Sequence, residues 1–379
     1  MRVAGLFSGI GGFELGLSTS GHEASLLVEN FHPALHVLRR RFPDVKIEED
    51  VRNVTTIPTG TDLLVAGFPC QDLSSVGRKA GITGSKSSLV AEVFRILETG
   101  DVPWVVLENV PFLLSLNKGS ALSFVTQTLT ALGYRWCYRV VDSNAFGLPQ
   151  RRNRWFLVAS RVGDPRDVLL ADQATPPSIA DDYRSAACGF YWTEGMRAFG
   201  WTVDGVPPIK CGSSVGVASP PAIRTPSGEF ITPDIRDAER LQGFPEDWTA
   251  PAEEVARPGQ RWRLVGNAVS PPVAQWLGER LALPGFYDPS NDRPVEGPPW
   301  PRQAAWADYD GRIHAAKVSA FPAWLPREPL ATFLRHGGRP LSARAANGFL
   351  SRTRKGSLRF PAGFLADLEE HARSMTDAR

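Results

Sequence analysis

An α/β fold with a largely parallel sheet is predicted for the first 160 residues of this 379-residue chain. Three observations predict it: short β-branched runs alternate with longer amphipathic segments, glycines follow several of those segments, and a glycine-rich turn joins the first strand to the first helix. Residues 3–8 form the opening strand, and the turn after it releases the chain into a helix over 13–19. Strand 25–29 and helix 33–41 come next, then strand 63–68, helix 88–99 and strand 104–108. A helix over 120–132 precedes two further strands, 134–141 and 154–160.

Past residue 160 the character changes. Pro176-Pro177, Pro207-Pro208 and Pro220-Pro221 punctuate a region of short elements and many turns, read as a second domain over 161–258. Apolar helical spacing returns over 272–283, so residues 259–284 are expected to complete the first domain. A proline-rich linker runs from 284 to 301 and opens a C-terminal extension over 285–379, in which Trp300, Trp306 and Trp324 predict that the segment from roughly 300 to 379 folds.

Composition excludes several classes. With 42% apolar residues the chain can bury a core, so disorder throughout is excluded. The longest apolar runs are far shorter than the roughly 20 residues that span a bilayer, and no apolar signal core follows Met1, so a cytoplasmic protein is expected. Four cysteines, scattered and without CxxC pairing, support neither a disulfide framework nor a zinc site, and no metal is expected. The 42 Lys+Arg against 40 Asp+Glu leave a net charge of +2, which is uninformative as a total. The stretch 335–359, however, holds Arg335, Arg339, Arg344, Arg352, Arg354, Lys355 and Arg359 with no acid, which permits contact with a polyanion.

Phe7-Ser8-Gly9-Ile10-Gly11-Gly12 leaves the first strand with glycines that let backbone turn sharply and approach a ligand. Glu29 closes the second strand, where a carboxylate suits ribose hydroxyls, and Asp50 is placed to receive an adenine amino group. Together they point to a cofactor with an adenosine-like part.

Gly67-Phe68-Pro69-Cys70-Gln71 follows the strand at 63–68, at the edge where such sheets put their reactive loops. Pro69 stiffens the turn that presents Cys70. Cys137, Cys188 and Cys211 read as structural. A thiol with a pKa of roughly 8.5 needs activation to act as a nucleophile. Glu108-Asn109-Val110 and Gln150-Arg151-Arg152-Asn153-Arg154 are placed to supply it. These residue types fit one chemistry well: a thiolate adding at C6 of a pyrimidine, an acid near N3, and positive charge near O2.

The sequence resembles the cytosine-C5 DNA methyltransferases of bacterial type, because six separated segments occur in that family's order. They are Phe7 to Gly12, Gly67 to Gln71, Glu108 to Val110, Gln150 to Arg154, Arg240-Leu241-Gln242-Gly243-Phe244-Pro245, and Gly266-Asn267-Ala268-Val269. The resemblance implies a Rossmann-like S-adenosylmethionine-dependent sheet, a smaller target-recognition domain and a C-terminal extension. It implies that Cys70 attacks C6, Glu108 holds or protonates N3, and Arg152 and Arg154 contact O2. It assigns Phe7, Ser8, Gly9, Ile10, Gly11, Gly12, Glu29, Asn30, Asp50, Val51, Gly67, Phe68, Pro69, Leu89, Asn267 and Val269 to the S-adenosylmethionine pocket, with S-adenosylhomocysteine as product. Asn30 stands where many members carry an aromatic residue.

Because C6 of a stacked base is unreachable, the cytosine is expected to flip out of the duplex. Ser74, Ser75, Arg78 and Lys79 form a polar loop suited to close over it. Arg184, Arg197, Lys210 and Arg224 are candidate DNA contacts in a compact recognition region. The expected setting is a monomer acting on duplex DNA at the nucleoid, in restriction-modification or phage defence. The alternatives are an RNA cytosine methyltransferase of the same fold, a silent DNA-binding protein, and an NAD-dependent oxidoreductase, which has no use for Cys70, Glu108 and the arginines.

Overall fold

The computed structural model describes residues 1–69, 89–177, 183–210, 212, 220–296, 298–308 and 310–377. In chain order the main elements are β1 (Arg2–Leu6), α1 (Gly12–Ser18), β2 (Glu23–Val28), α2 (His32–Arg41), β3 (Lys46–Glu48), β4 (Leu63–Gly67), α3 (Leu89–Thr99), β5 (Trp104–Asn109), α4 (Ser120–Ala131), β6 (Arg135–Asp142), β7 (Asn153–Ser160) and α5 (Pro165–Leu169). Then come β8 (Cys188–Phe190), β9 (Thr202–Val203), β10 (Ala222–Arg224), β11 (Phe230–Thr232), α6 (Ile235–Gln242), α7 (Gln260–Asn267) and α8 (Pro271–Ala282). The last are β12 (Arg293–Val295), β13 (Ala304–Ala307), β14 (Ile313–Ala315), α9 (Leu330–Phe333), β15 (Arg339–Pro340), α10 (Ala343–Thr353) and α11 (Phe364–Asp377).

Two compact units divide the chain. The first comprises Met1–Phe146, Asn153–Pro176 and Val269–Trp324. Among the described residues its sheet runs β12-β14-β13-β6-β7-β5-β4-β1-β2-β3. The strands β3, β2, β1, β4 and β5 are mutually parallel, and those from β7 outward are antiparallel. Side chains alternate across the sheet as the two-residue period of a strand requires. Ala4, Leu6, Leu64, Ala66, Val105 and Leu107 enter one apolar layer, while Val3, Leu63, Val65, Trp104 and Val106 enter the other. Helix α8 closes the second layer against α1: a Cβ on Gly16 would lie 2.2 Å from the Pro271 carbonyl, so glycine is what permits this approach.

The strand order positions the site. From β1 the chain winds one way to β2 and β3, then returns and winds the other way to β4 and β5. The connections leaving β1 and β4 therefore diverge, which opens a crevice beyond their carboxyl ends. Antiparallel β7 pairs with β5 so that Asn109 faces Trp155 and Glu108 faces Phe156. The start of β7 is thus brought to the same edge as the end of β5.

The second unit comprises Gly147–Arg152, Pro177–Ala268 and Leu325–Arg379. Its antiparallel sheet runs β15-β11-β10-β8-β9 among the described residues. Phe190 and Phe230 from the sheet pack with Phe349 of α10 and Phe364 of α11.

The observed units divide the C-terminal region differently from the expected extension over 285–379. Residues up to Trp324 lie in the first unit, where β13 pairs with β6 and carries β14 and β12 beyond it. Residues from Leu325 lie in the second, where β15 pairs with β11. Both pairings join residues far apart in sequence through strands of two to four residues, too short to leave a periodic signature.

Candidate active site

The glycine turn leaves β1 at Leu6. Phe7 is half-buried in the left-handed region, with φ of 57°, and Gly9 and Gly11 follow at 58° and 83°. A Cβ on Gly9 would meet nothing within 4 Å, so this face of the turn is open. Glu29 fastens the turn from the end of β2. Its Oε2 accepts the Gly9 N–H at 2.8 Å, and its Oε1 accepts those of Asn30 and Phe31 at 3.0 and 2.8 Å. Ser8 Oγ and both oxygens of Glu14 are buried without hydrogen-bond partners.

Asp50 departs from the expectation of a free acceptor. Both of its oxygens are engaged by the Arg52 guanidinium, at 2.6–3.0 Å, and Oδ1 also accepts the Arg52 N–H. These hydrogen bonds hold the Asp50 carboxyl below its ordinary pKa. An adenine amino group would have to share that carboxylate with a neighbour two residues away. Val51, Phe68 and Ile10 are buried, Leu89 is half-buried, and Asn30, Pro69 and Asn267 are exposed.

At the end of β5, Glu108 Oε1 lies 3.2 Å from Arg154 Nε, both side chains being largely enclosed. The two are diagonal neighbours on one face of the β5/β7 ladder. Gly67 belongs to the same spot: a Cβ there would stand 3.4 Å from Glu108 Oε2 and 3.9 Å from Val269 Cγ2. Asn109, unremarked as a site residue in the sequence reading, donates from Nδ2 to the Phe68 carbonyl at 2.9 Å, while its Oδ1 accepts the Val110 N–H at 2.8 Å. Only its place beside Glu108 at a strand end signals it. Cys70, Ser74, Ser75, Arg78 and Lys79 lie outside the described residues.

Arg152 is placed otherwise than expected. It belongs to the second unit, is 1% exposed, and donates to the carbonyls of Gly266 at 3.0 Å and Ala268 at 2.8 Å. Gln242 donates to the same Ala268 carbonyl at 2.7 Å. Gln150 donates to Gln242 Oε1 at 3.0 Å and to the Leu241 carbonyl at 2.8 Å. The segments around Gln150, Leu241 and Ala268 therefore brace one another, and the Arg152 guanidinium is occupied in that scaffold.

The DNA candidates separate by burial. Arg184 and Arg197 are exposed. Lys210 pairs with Glu194 at 2.5 Å and sits over the Tyr191 ring. Arg224 is 5% exposed and held by Asp367 at 3.1 Å, so it belongs to the packing of α11 on the sheet rather than to a surface. Cys137 and Cys188 are buried free thiols, and burial pushes Cys188 up to about 11. Neither is activated; Cys211 lies outside the described residues.

Among the described residues no helix is long and apolar enough to cross a membrane. The sequence profile described as C-5 cytosine-specific DNA methylase matches residues 1–187 and 228–282. The Type II methyltransferase M2.BsuMI of Bacillus subtilis (strain 168) is 48% identical over 366 residues, 93% of each chain. The Type II methyltransferase M.MspI of Moraxella sp is 28% identical over 73% of this chain and 69% of its own. The crystal structure of S. pombe Dnmt2 methyltransferase, 17% identical, aligns with a TM-score of 0.52 over 74% of this chain and 98% of that one, a likeness of fold. The sheet with its diverging crevice and the ordered segments around it thus agree with the sequence relatives: the chain belongs to the C-5 cytosine-specific DNA methylase family and methylates DNA cytosine at C5, using S-adenosylmethionine.

Proposed function

We propose that Cys70, Glu108 and Arg154 carry out this methyl transfer, with the Glu108–Arg154 pair as the observation that supports the reading. A carboxyl group that can hold a proton at N3 and a guanidinium that can donate to O2 stand 3.2 Å apart at the sheet edge where β4, the strand that precedes Cys70 in the sequence, ends. The Cys70 thiolate bonds to C6 of a flipped cytosine, and Glu108 supplies hydrogen bonding or a proton at N3, so electron density collects at C5. Bound S-adenosylmethionine supplies an electrophilic methyl group, which C5 takes up, leaving S-adenosylhomocysteine. A base, read as water, then removes the C5 proton, the S–C6 bond breaks, and Cys70 leaves as thiolate. Arg152 acts through the backbone it braces and is a positioning residue.

The glycine turn fits the cofactor's amino-acid end, since it is open at Gly9 and has unpartnered polar atoms beneath it. Phe7, Ile10, Val51, Phe68 and Leu89 supply apolar contacts for the adenosine, and Glu29 retains acceptor capacity for the ribose. The second unit reads the target sequence, with Arg184 and Arg197 as exposed phosphate or base contacts, and Ser74, Ser75, Arg78 and Lys79 are read as further DNA contacts. The Type II designation of the 48%-identical relative supports protection of host DNA beside a restriction enzyme.

Bisulfite sequencing of DNA from cells expressing the chain, beside a Cys70→Ala control, tests the reading. Methylation at one short sequence, lost in the control, is the expected result, and identical patterns in both would overturn it. A parallel assay on transfer RNA separates the RNA alternative.

A further inference from the structure

Glu14 stands in the first turn of α1, directly after the glycine turn, and is 3% exposed. Among the described residues neither of its oxygens has a well-formed hydrogen bond, and neither does Ser8 Oγ. The two groups meet over Gly5 at the end of β1. A Cβ on Gly5 would lie 2.0 Å from Glu14 Oε1 and 2.8 Å from Ser8 Oγ. The bare Cα at position 5 is what gives the carboxylate its place, and any other residue there would expel it.

A buried carboxylate without donors is costly when ionised, so it either keeps a proton or receives a cation. Burial pushes Glu14 up to about 7. The Ser8 hydroxyl and the Glu14 backbone N–H lie close enough to pull it part of the way back, and the charge of Glu29 adds to the rise. Among the described residues, Glu29 is the charged group whose field reaches it. Glu29 already accepts the N–H groups of Gly9, Asn30 and Phe31, whereas among the described residues only the Ser8 hydroxyl and its own N–H stand near the Glu14 carboxyl, neither in a well-formed hydrogen bond.

We infer that Glu14, with Ser8 beside it, receives the α-ammonium group of the cofactor's amino-acid end, directly or through an ordered water, and so positions the sulfonium over the crevice. This rests on the reading of the glycine turn as the cofactor site. Glu14 forms no bond in the reaction and is a positioning residue.

Calorimetric titration of the full chain with S-adenosylhomocysteine, its desamino analogue and methylthioadenosine, from about pH 6 to pH 7.5, tests the inference. Wild type is expected to prefer S-adenosylhomocysteine over the desamino analogue by roughly 10- to 100-fold at the upper pH, the range of a charge-assisted hydrogen bond. The acid must be ionised to receive the ammonium, so the preference grows as pH rises through about 7. In Glu14→Gln the preference and its pH dependence disappear, while methylthioadenosine, which lacks the amino-acid end, binds within about twofold of wild type.

A variant that still discriminates, or that weakens all three ligands alike, overturns the inference. If Glu14→Gln does not fold, wild type alone decides: equal affinity for the two longer ligands at every pH sinks it. A wild type that binds none of the three would instead overturn the cofactor reading and this inference with it.

Discussion

Asn109 donates a hydrogen bond to the carbonyl of Phe68 at 2.9 Å, which ties the end of β5 to the exit of β4, two residues before Cys70 in the sequence. Its Oδ1 also accepts the Val110 N–H, so one buried amide fixes both strands' exits. Asn109→Ala leaves a buried carbonyl and an N–H unpaired, for a loss of about 1–3 kcal/mol in stability. Single-turnover methyl transfer should fall by about tenfold or more, because misplacing a nucleophile by a fraction of its reach is expensive. An unchanged turnover constant would detach Asn109 from Cys70.

Glu108→Gln keeps the shape beside Arg154 and removes the proton held for N3. Methyl transfer from labelled S-adenosylmethionine into DNA should drop by about 10²–10⁴-fold, with cofactor affinity close to wild type. Arg154→Lys keeps the charge and loses the planar fork, so a smaller loss of rate is expected.

Arg152 and Arg154 should part company when each is truncated. Arg152→Ala removes the side-chain donor of the Gly266 carbonyl and one of the two donors of the Ala268 carbonyl, which Gln242 still holds, and should lower stability in denaturant by about 1–3 kcal/mol. Arg154→Ala should leave stability near wild type and strike the rate. The same denaturation profile for both variants would contradict their separate placement.

Glu14 makes stability depend on pH in the opposite sense to a salt-bridged acid. Its folded pKa of about 7 lies above the ordinary 4.5, so the folded state holds the proton across that interval and loses stability as pH rises through it. Glu14→Gln should therefore be the more stable protein at pH 8, by roughly 3 kcal/mol, with a difference under about 1 kcal/mol near pH 5. Thermal melts at the two pH values check this. Saturating S-adenosylhomocysteine at pH 8 should raise wild type more than the variant.

Phe364 is fully buried among Phe190, Phe230, Phe349 and Phe360 in the second unit. Phe364→Ala should cost about 3–5 kcal/mol in denaturant titrations. A melt unaffected by this change would mean that α11 is an appendage rather than part of the recognition unit's core.

Much of the site was legible because it sits on local sequence. A glycine turn, a proline beside a cysteine and a glutamate at the end of an apolar run each mark a strand's exit, and parallel strands deliver their exits to one edge. Gly9, Glu29, Gly67, Glu108 and Arg154 could therefore be placed at or beside strand ends in advance. The parallel strands were legible too, because each apart from β3 is a run of five or six residues of which at least three are buried.

Tertiary structure decided what no local pattern encodes. Whether an arginine reaches substrate or backbone depends on which carbonyls surround it, so Arg152 and Arg154, two residues apart on one motif, came out with different partners. Whether an acid is free depends on its neighbours in space: Asp50 is claimed by Arg52, while Glu14, one charge among 40 acids in the sequence, lies unpartnered because Gly5 has no side chain. The short strands β13 and β15 pair with partners more than a hundred residues away, and β14 and β12 are carried on β13. Hydrogen-bond occupancy and burial are properties of the packed chain, and they separate the residues that hold the scaffold from those left available for chemistry.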